Sequence, residues 1–255
     1  MENPVLFGHG LAELMIGPHV ATCEVPVRHA AMVHWWERLT FIHWRFDPAE
    51  VQRLLPPGLT VETFDGSAWV GLVPFYLLVG LPHLPSVPWL SQFPETNVRT
   101  YATSADGTSG VWFFSLDASR FGAVVTARAT YRLPYFWSKM SIETSGSTIS
   151  YRSRRRWPRP RGGSTTTVEI GQPYSPDELT ELDHYLTARW ALFSAPRSGL
   201  HMARAFHDPW PLHRARLVEL DDTLVTAAGL SSPQGEPLVH YAHSVKVRIG
   251  WPMRV

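Results

Sequence analysis

Pro94-Glu95-Thr96-Asn97-Val98-Arg99 and Ala127-Arg128-Ala129-Thr130-Tyr131-Arg132-Leu133-Pro134-Tyr135 bracket the stretch from Pro94 to Met140 around which the chain is organised. Between them lie the turn signal Asp106-Gly107 and the apolar run Val111-Trp112-Phe113-Phe114, which together predict a hairpin that brings Glu95 and Arg128 into one neighbourhood. On a strand, Glu95, Asn97 and Arg99 fall on one face at period two. A carboxylate, an amide and a guanidinium side by side can orient a polar substrate or move a proton, although a surface strand with an ordinary ion pair looks the same. From Ser119 to Tyr131 the pattern fits a helix with Phe121, Val124, Val125 and Ala129 inward, and the run Val124-Val125-Thr126 suits a strand equally well; the helix is preferred.

Outward from this stretch, residues 1–38 read as an arm packed on the body, and residues 39–255 as a single domain. Leu39 to Phe46 has strand composition, followed by a helix from Pro48 to Leu55 with Asp47 at its N-cap. Leu59 to Thr63 and Ala68 to Leu78 flank Asp65-Gly66 as a hairpin, and a proline-rich loop, Pro82 to Pro94, is placed to cover a pocket. Met140 to Arg156 and Ser164 to Ile170 alternate as two strands. Pro176 to Phe193 reads as a helix whose Leu179, Leu182, Leu186, Trp190 and Phe193 form one stripe. Strands from Leu200 to Phe206, Arg214 to Leu220 and His240 to Ile249 complete the chain. The sum is an α+β fold, an antiparallel β barrel or sandwich with a few peripheral helices.

The 255 residues, 44% of them hydrophobic, suffice for a large core. A net charge of +1 gives no reason to expect nucleic acid or an anionic membrane as a partner. The one local exception is Arg152, Arg154, Arg155, Arg156, Arg159 and Arg161 around Trp157, better read as a solvated hairpin tip than as a nucleic-acid platform. One cysteine, Cys23, no long apolar run and no leader-like N-terminus fit a cytoplasmic protein. His240-x-x-His243 and His29-x4-His34 lack the carboxylate or thiol that would close a metal shell, so no metal is expected. No phosphate loop or dinucleotide fingerprint is present, so no cofactor is expected either. Lys139 and Lys246 are the only side-chain amines that an imine mechanism could use. Aromatic neighbours of Lys139 can desolvate it, yet an amine snorkelling from a strand edge is the commoner arrangement.

Several segments carry a resemblance: Trp44-Arg45-Phe46-Asp47 with Val51-Gln52-Arg53-Leu54-Leu55-Pro56-Pro57-Gly58-Leu59, then Pro94 to Arg99, Phe113-Phe114-Ser115-Leu116-Asp117, Ala127-Arg128, Leu133-Pro134-Tyr135, Leu186-Thr187-Ala188-Arg189-Trp190 and His207-Asp208-Pro209-Trp210-Pro211-Leu212. In these the chain resembles the bacterial DUF2071 or YqjF-like proteins of unknown function, which look like distant members of the acetoacetate decarboxylase superfamily. The resemblance implies a β structure around an interior pocket and homo-oligomeric assembly. It also implies a catalytic glutamate at Glu95, an arginine at Arg128, and an imine-forming lysine in a Pro-Lys-Lys motif. Here that motif reads Pro134-Tyr135-Phe136, and the glutamate expected after the arginine is Ala129. Imine decarboxylation is therefore expected to be lost.

What remains is a pocket for a small oxo or carboxylate compound, with Glu95, Arg128 and Tyr135 as catalytic candidates and Asn97, Arg99, Tyr131 and Lys139 as substrate-binding ones. Arg128 would hold a carboxylate or enolate oxygen while Glu95 and Tyr135 act as acid, base or orienting groups. A non-imine lyase, isomerase or cyclase is the expected activity, and a non-catalytic small-molecule-binding or scaffold protein the alternative.

Overall fold

A computed structural model describes residues 22–23, 26–80, 91–159 and 161–255. Thirteen strands make one large sheet: β1 (Met32–Phe46), β2 (Leu59–Val61), β3 (Ala68–Gly80), β4 (Gln92–Ser104), β5 (Ser109–Ala118), β6 (Tyr135–Ser145), β7 (Thr148–Trp157), β8 (Gly163–Pro173), β9 (Ala191–Ser194), β10 (His201–His207), β11 (Leu212–Asp222), β12 (Leu238–Ile249) and β13 (Met253–Arg254). Their order is β13-β10-β9-β5-β6-β7-β8-β11-β12-β1-β3-β4-β2, and the further pairings β4–β5 and β10–β12 fold the sheet over itself. It is a mixed sheet, since β5 runs parallel to both β6 and β9, and not a closed barrel, since its order ends at β13 and β2, which do not pair with each other. Among the described residues four short helices sit at its margins: α1 (Pro48–Gln52), α2 (Phe121–Thr130), α3 (Glu181–Thr187) and α4 (Leu224–Ala227).

The β4–β5 hairpin forms where the turn residues require it. Gly107 takes φ +86°, and the Asp106 carboxylate accepts from Ser104 Oγ at 2.6 Å and Thr108 N at 3.1 Å. Asp47 caps α1 by accepting from Ala49 N at 2.9 Å. Glu50 bonds instead to Ser231 N and Oγ, tying α1 to the far end of the chain.

Several elements depart from expectation. The expected arm ends inside the sheet, because β1 starts at Met32; residues 1–21 and most of the expected loop at 82–94 lie outside the described residues, while Pro94 is within β4. β2 pairs with β4, so the hairpin across Asp65-Gly66 shrinks to a bridge between Phe64 and Ser67. The span from 140 to 156 is divided by a turn at Gly146, φ +58°. The helix expected from 176 to 193 is a 3₁₀ turn (Pro176–Glu178) followed by α3, whose N-cap Thr180 exchanges hydrogen bonds with Asp183 and whose continuation becomes β9. In α2 only Val124 is buried, while Phe121 packs outside against Trp137 and Trp157 at ring distances of 5.5 and 5.8 Å.

Among the described residues four apolar clusters fill the interior, two of them large. One centres on Ile42, Trp44, Val70, Ile149, Val168 and Leu224. The other, with Leu39, Phe41, Val73, Phe75, Phe93, Val124, Trp210 and Val247, surrounds a cavity.

Candidate functional site

Inward-facing residues of β1, β3 and β4 wall this cavity. Glu95, Asn97 and Arg99 come from β4, Val73, Phe75 and Leu77 from β3, and Met32, His34 and Trp36 from the first half of β1, each set at the period-two spacing of a strand. The period breaks at irregularities that re-aim the chain. Beyond Glu37 the β1–β3 register shifts, with Arg38 at φ +50°, and Leu39 takes the inward place. From the other side, Ala127 of α2 and the following Tyr131, Leu133 and Tyr135 close the wall. The cavity measures about 100 Å³.

Polar groups in this wall have few partners. Tyr135 Oη donates to Glu95 Oε2 at 2.9 Å. Burial, supported by the charge of Asp117, pushes the Glu95 carboxyl up to about 8 against the pull of that hydrogen bond. At neutral pH Glu95 is therefore mainly a neutral acid, and burial and Glu95 hold the Tyr135 hydroxyl well above its ordinary value. Arg99 is only 6% exposed. Its Nη2 reaches Tyr101 Oη at 3.4 Å and the Leu186 carbonyl at 3.3 Å, and its guanidinium lies 5.1 Å from the Phe41 ring. Among the described residues no carboxylate lies within ion-pairing distance of it, and its Nε is buried without a partner. Asn97 Oδ1, Tyr131 Oη and His34 Nε2 are likewise buried and unpartnered.

Among the described residues Arg99, Arg155 and Arg189 are the buried arginines, and the other two have carboxylates. Arg155 grips Asp117 through Nε and Nη2 at 2.9–3.1 Å, with Ser138 Oγ adding a bond of 2.6 Å. Arg189 Nη1 meets Glu62 Oε2 at 2.5 Å, and its guanidinium lies 4.4 Å from the rings of both Tyr101 and Tyr185. The cavity thus holds a cation, a neutral acid and several unused hydrogen-bonding atoms.

Five of the seven residues expected at the site line this cavity: Glu95, Asn97, Arg99, Tyr131 and Tyr135. Arg128 does not. It follows the inward Ala127 by one residue, about 100° around the helix, and so projects outward. There its Nη1 donates to the Tyr135 carbonyl at 2.6 Å and its guanidinium lies 5.5 Å from the Trp157 ring. It braces Tyr135 from behind. Lys139 is exposed on β6, cross-strand from Arg154. Its even offset keeps it on the face of Tyr135, since Phe136 and Ser138 both turn to the Arg155–Asp117 pair on the other face and the extra residue at the β6–β7 irregularity, Arg156, lies on β7; four residues of strand, roughly 13 Å, carry it past the end of the cavity. Lys246 is exposed as well, so neither lysine reaches the cavity.

Sequence reading missed His34 and Trp36. Their signal is the alternation Met32-Val33-His34-Trp35-Trp36, hidden by its assignment to an arm. It also missed the Arg155–Asp117 and Arg189–Glu62 pairs, whose members are far apart in the chain. Among the described residues no group of His, Cys, Asp and Glu side chains is arranged to hold a metal, and no helix is long and apolar enough to cross a membrane.

The DUF2071 family model, described as an uncharacterized conserved protein, matches residues 33–246. The chain is 36% identical over 220 residues to the uncharacterized protein YqjF of Bacillus subtilis (strain 168), covering 86% of this chain and 90% of that one. Among solved structures it is similar to an acetoacetate decarboxylase-like enzyme from Sphingomonas wittichii RW1, with a TM-score of 0.61 and 14% identity over 89% of this chain and 93% of that one. It is similar also to the enduracididine biosynthesis enzyme MppR complexed with pyruvate, with a TM-score of 0.56 and 13% identity over 90% and 92% of the two chains.

Proposed function

Since the chain belongs to the DUF2071 family and has the acetoacetate decarboxylase-like fold, we propose that its cavity binds a small oxo-carboxylate and moves a proton on it without forming an imine. The observation that carries this reading is Arg99, a buried guanidinium with no carboxylate partner among the described residues, facing a cavity whose acid is mostly neutral at pH 7. Burying an unpaired charge is costly, and an anionic ligand offsets that cost. A structural neighbour solved with pyruvate supports the ligand class.

The ligand carboxylate sits against Arg99. Glu95, in its ionised form, takes a proton from the carbon next to the ligand's carbonyl. The electron pair of that C–H bond becomes the enolate, the field of Arg99 stabilises the charge left on oxygen, and Glu95 returns the proton to carbon. Tyr135 keeps Glu95 oriented through their 2.9 Å hydrogen bond, and Arg128 keeps Tyr135 in place. No Schiff base enters, because both lysines lie outside.

A second reading, binding without turnover, is favoured by the mainly apolar wall, including Trp36, Phe75, Leu77, Phe113 and Leu116. Hydrogen exchange in D₂O separates the two. With pyruvate and 4-oxopentanoate as probes, proton NMR should show protein-dependent deuteration beside the carbonyl of at least one, rising as the pH passes about 8, where Glu95 ionises, and absent in Glu95→Gln. Binding lost in Arg99→Met without any exchange in wild type selects the second reading. Failure of both probes to bind overturns the site.

A further inference from the structure

The arginine cluster around Trp157 takes no part in the cavity. By sequence alone it reads as a solvated hairpin tip, but the folded sheet sorts its arginines and adds residues from other elements. Arg155 turns inward to Asp117, while Arg152, Arg154 and Arg156 are exposed. Lys139 stands directly across from Arg154, and Ser141 across from Arg152, on one face of β6 and β7. Trp137, two residues before Lys139, shares that face and pairs with Trp157 at the β6–β7 irregularity.

The charges of this face are unmatched. Like charges directly opposite on neighbouring strands repel, and among the described residues no carboxylate comes within ion-pairing distance of Lys139, Arg154 or Arg156. Arg152 has Glu143 at 3.1 Å, but both side chains are more than half exposed, where such a pair contributes little. Lys139, Arg152 and Arg154 line an open groove of about 710 Å³ together with Ser141 and Thr165, with the Asp221 carboxylate on its wall. Across from Arg154 the groove is bare backbone at Gly163, where a Cβ would come within 2.7 Å of the Ser153 carbonyl oxygen.

Aromatic rings stand at the end of the same face. Trp157 is 40% exposed and Phe121 of α2 49%, and Phe121 meets both Trp137 and Trp157 edge to face. The guanidiniums of Arg156 and Arg128 lie 5.3 and 5.5 Å from the Trp137 and Trp157 rings. Cations and exposed rings thus follow one another along a single surface.

We propose that this surface binds single-stranded nucleic acid, with phosphates along the cations of the groove and bases against Trp157 and Phe121. Cations at alternate strand residues, roughly 6.6 Å apart, track a charged backbone, and every base has a face that can stack on an aromatic ring. The concave groove suits a strand better than a lipid surface. The exposed rings suit bases better than an acidic peptide, whose carboxylates need no stacking partner. This inference is independent of the cavity and its ligand.

Fluorescence polarisation with a labelled oligothymidylate of about 12 nucleotides, within the range of such site sizes, tests it. Neutralising about four phosphates should make binding roughly fiftyfold weaker at about 200 mM salt than at about 50 mM. Replacing both Lys139→Ala and Arg154→Ala should weaken binding and remove roughly 1.4 from the slope of log affinity against log salt. Trp157→Ala should weaken binding roughly five- to a hundredfold at fixed salt and leave that slope unchanged. Trp157→Phe, which keeps a ring, should recover part of the loss and covers the case in which the alanine variant fails to fold. No binding at low salt, or affinity unchanged in both the double variant and Trp157→Ala, overturns the proposal. Wild type that binds polyglutamate as tightly as the oligonucleotide, or binds only phosphatidylserine vesicles, overturns it in favour of an acidic protein or a membrane.

Discussion

Arg189 and Arg99 occupy the same interior and share Tyr101 as a neighbour, yet their surroundings have opposite character. Around Arg189 most groups are matched: Glu62 takes its charge, Ser109 and the Tyr185 carbonyl accept from it, and two tyrosine rings face it. Burial alone would raise the Glu62 carboxyl, but the charge of Arg189 and hydrogen bonds from Ser109, Thr103 and Arg189 outweigh it and hold Glu62 below its ordinary value. Around Arg99 no carboxylate among the described residues comes within ion-pairing distance, and three other polar side chains of the wall carry an atom with no partner. A fold keeps a buried ion pair because each charge solves the other's desolvation. It keeps a buried cation without one when something outside the chain completes it.

The largest effect expected from this contrast is on stability. Arg189→Met should cost roughly 3–5 kcal/mol, because it strands a buried Glu62, read as a lowered midpoint in urea unfolding. A loss below about 1 kcal/mol would erase the distinction between the two arginines. Next comes pH. The folded-state value of Glu95, about 8, lies above its ordinary 4.5, so its contribution to stability is complete below pH 4.5 and lost as pH rises through 8. Wild type should lose up to roughly 1.4 kcal/mol per pH unit relative to Glu95→Gln within that window. Glu62 has the opposite sign: its folded value is lowered, so its contribution is present above 4.5 and lost as pH falls. Parallel curves for wild type and Glu95→Gln would show that Glu95 is ionised in the fold. Arg128→Met removes a charge-assisted bond from a half-buried site, for a loss of roughly 1 kcal/mol, together with weaker ligand binding through a loosened Tyr135. Binding left unchanged would limit Arg128 to holding α2. The smallest effect belongs to Lys139→Ala, within about 0.5 kcal/mol. Borohydride treatment with either oxo acid should give no adduct in wild type, and labelling of Lys139 would bring an amine back into the chemistry.

Much of the cavity was legible where strand period alone decides direction. Glu95, Asn97 and Arg99 share a face because β4 keeps its alternation past all three. Tyr135 was found through the motif it interrupts. Legibility ended where the period breaks. The shift after Glu37 brings Leu39 in, and it depends on how neighbouring strands pair, which local sequence does not state; Lys139 keeps the face of Tyr135 but lies past the cavity's end, a limit that period alone does not give. Arg128 missed the cavity through a single helical step. Arg189 read as part of a long helix because the stripe from Leu179 to Phe193 suits one, whereas pairing of β9 with β10 and β5 claims its last residues. The partnerships of Arg189 with Glu62 and of Arg155 with Asp117 span 127 and 38 residues, and only the folded sheet brings them together.

The most direct test of the central claim is the unfolding free energy of Arg99→Met beside wild type, each with and without 4-oxopentanoate. Without ligand the variant should stay within about 1 kcal/mol of wild type, since methionine fills similar space and strands no carboxylate. At a hundredfold excess over Kd the ligand should stabilise wild type by about 2.7 kcal/mol and leave the variant unchanged. A variant that loses as much as Arg189→Met, beside a wild type that gains nothing from the ligand, would show that Arg99 is a structural arginine and that the cavity is not an anion site.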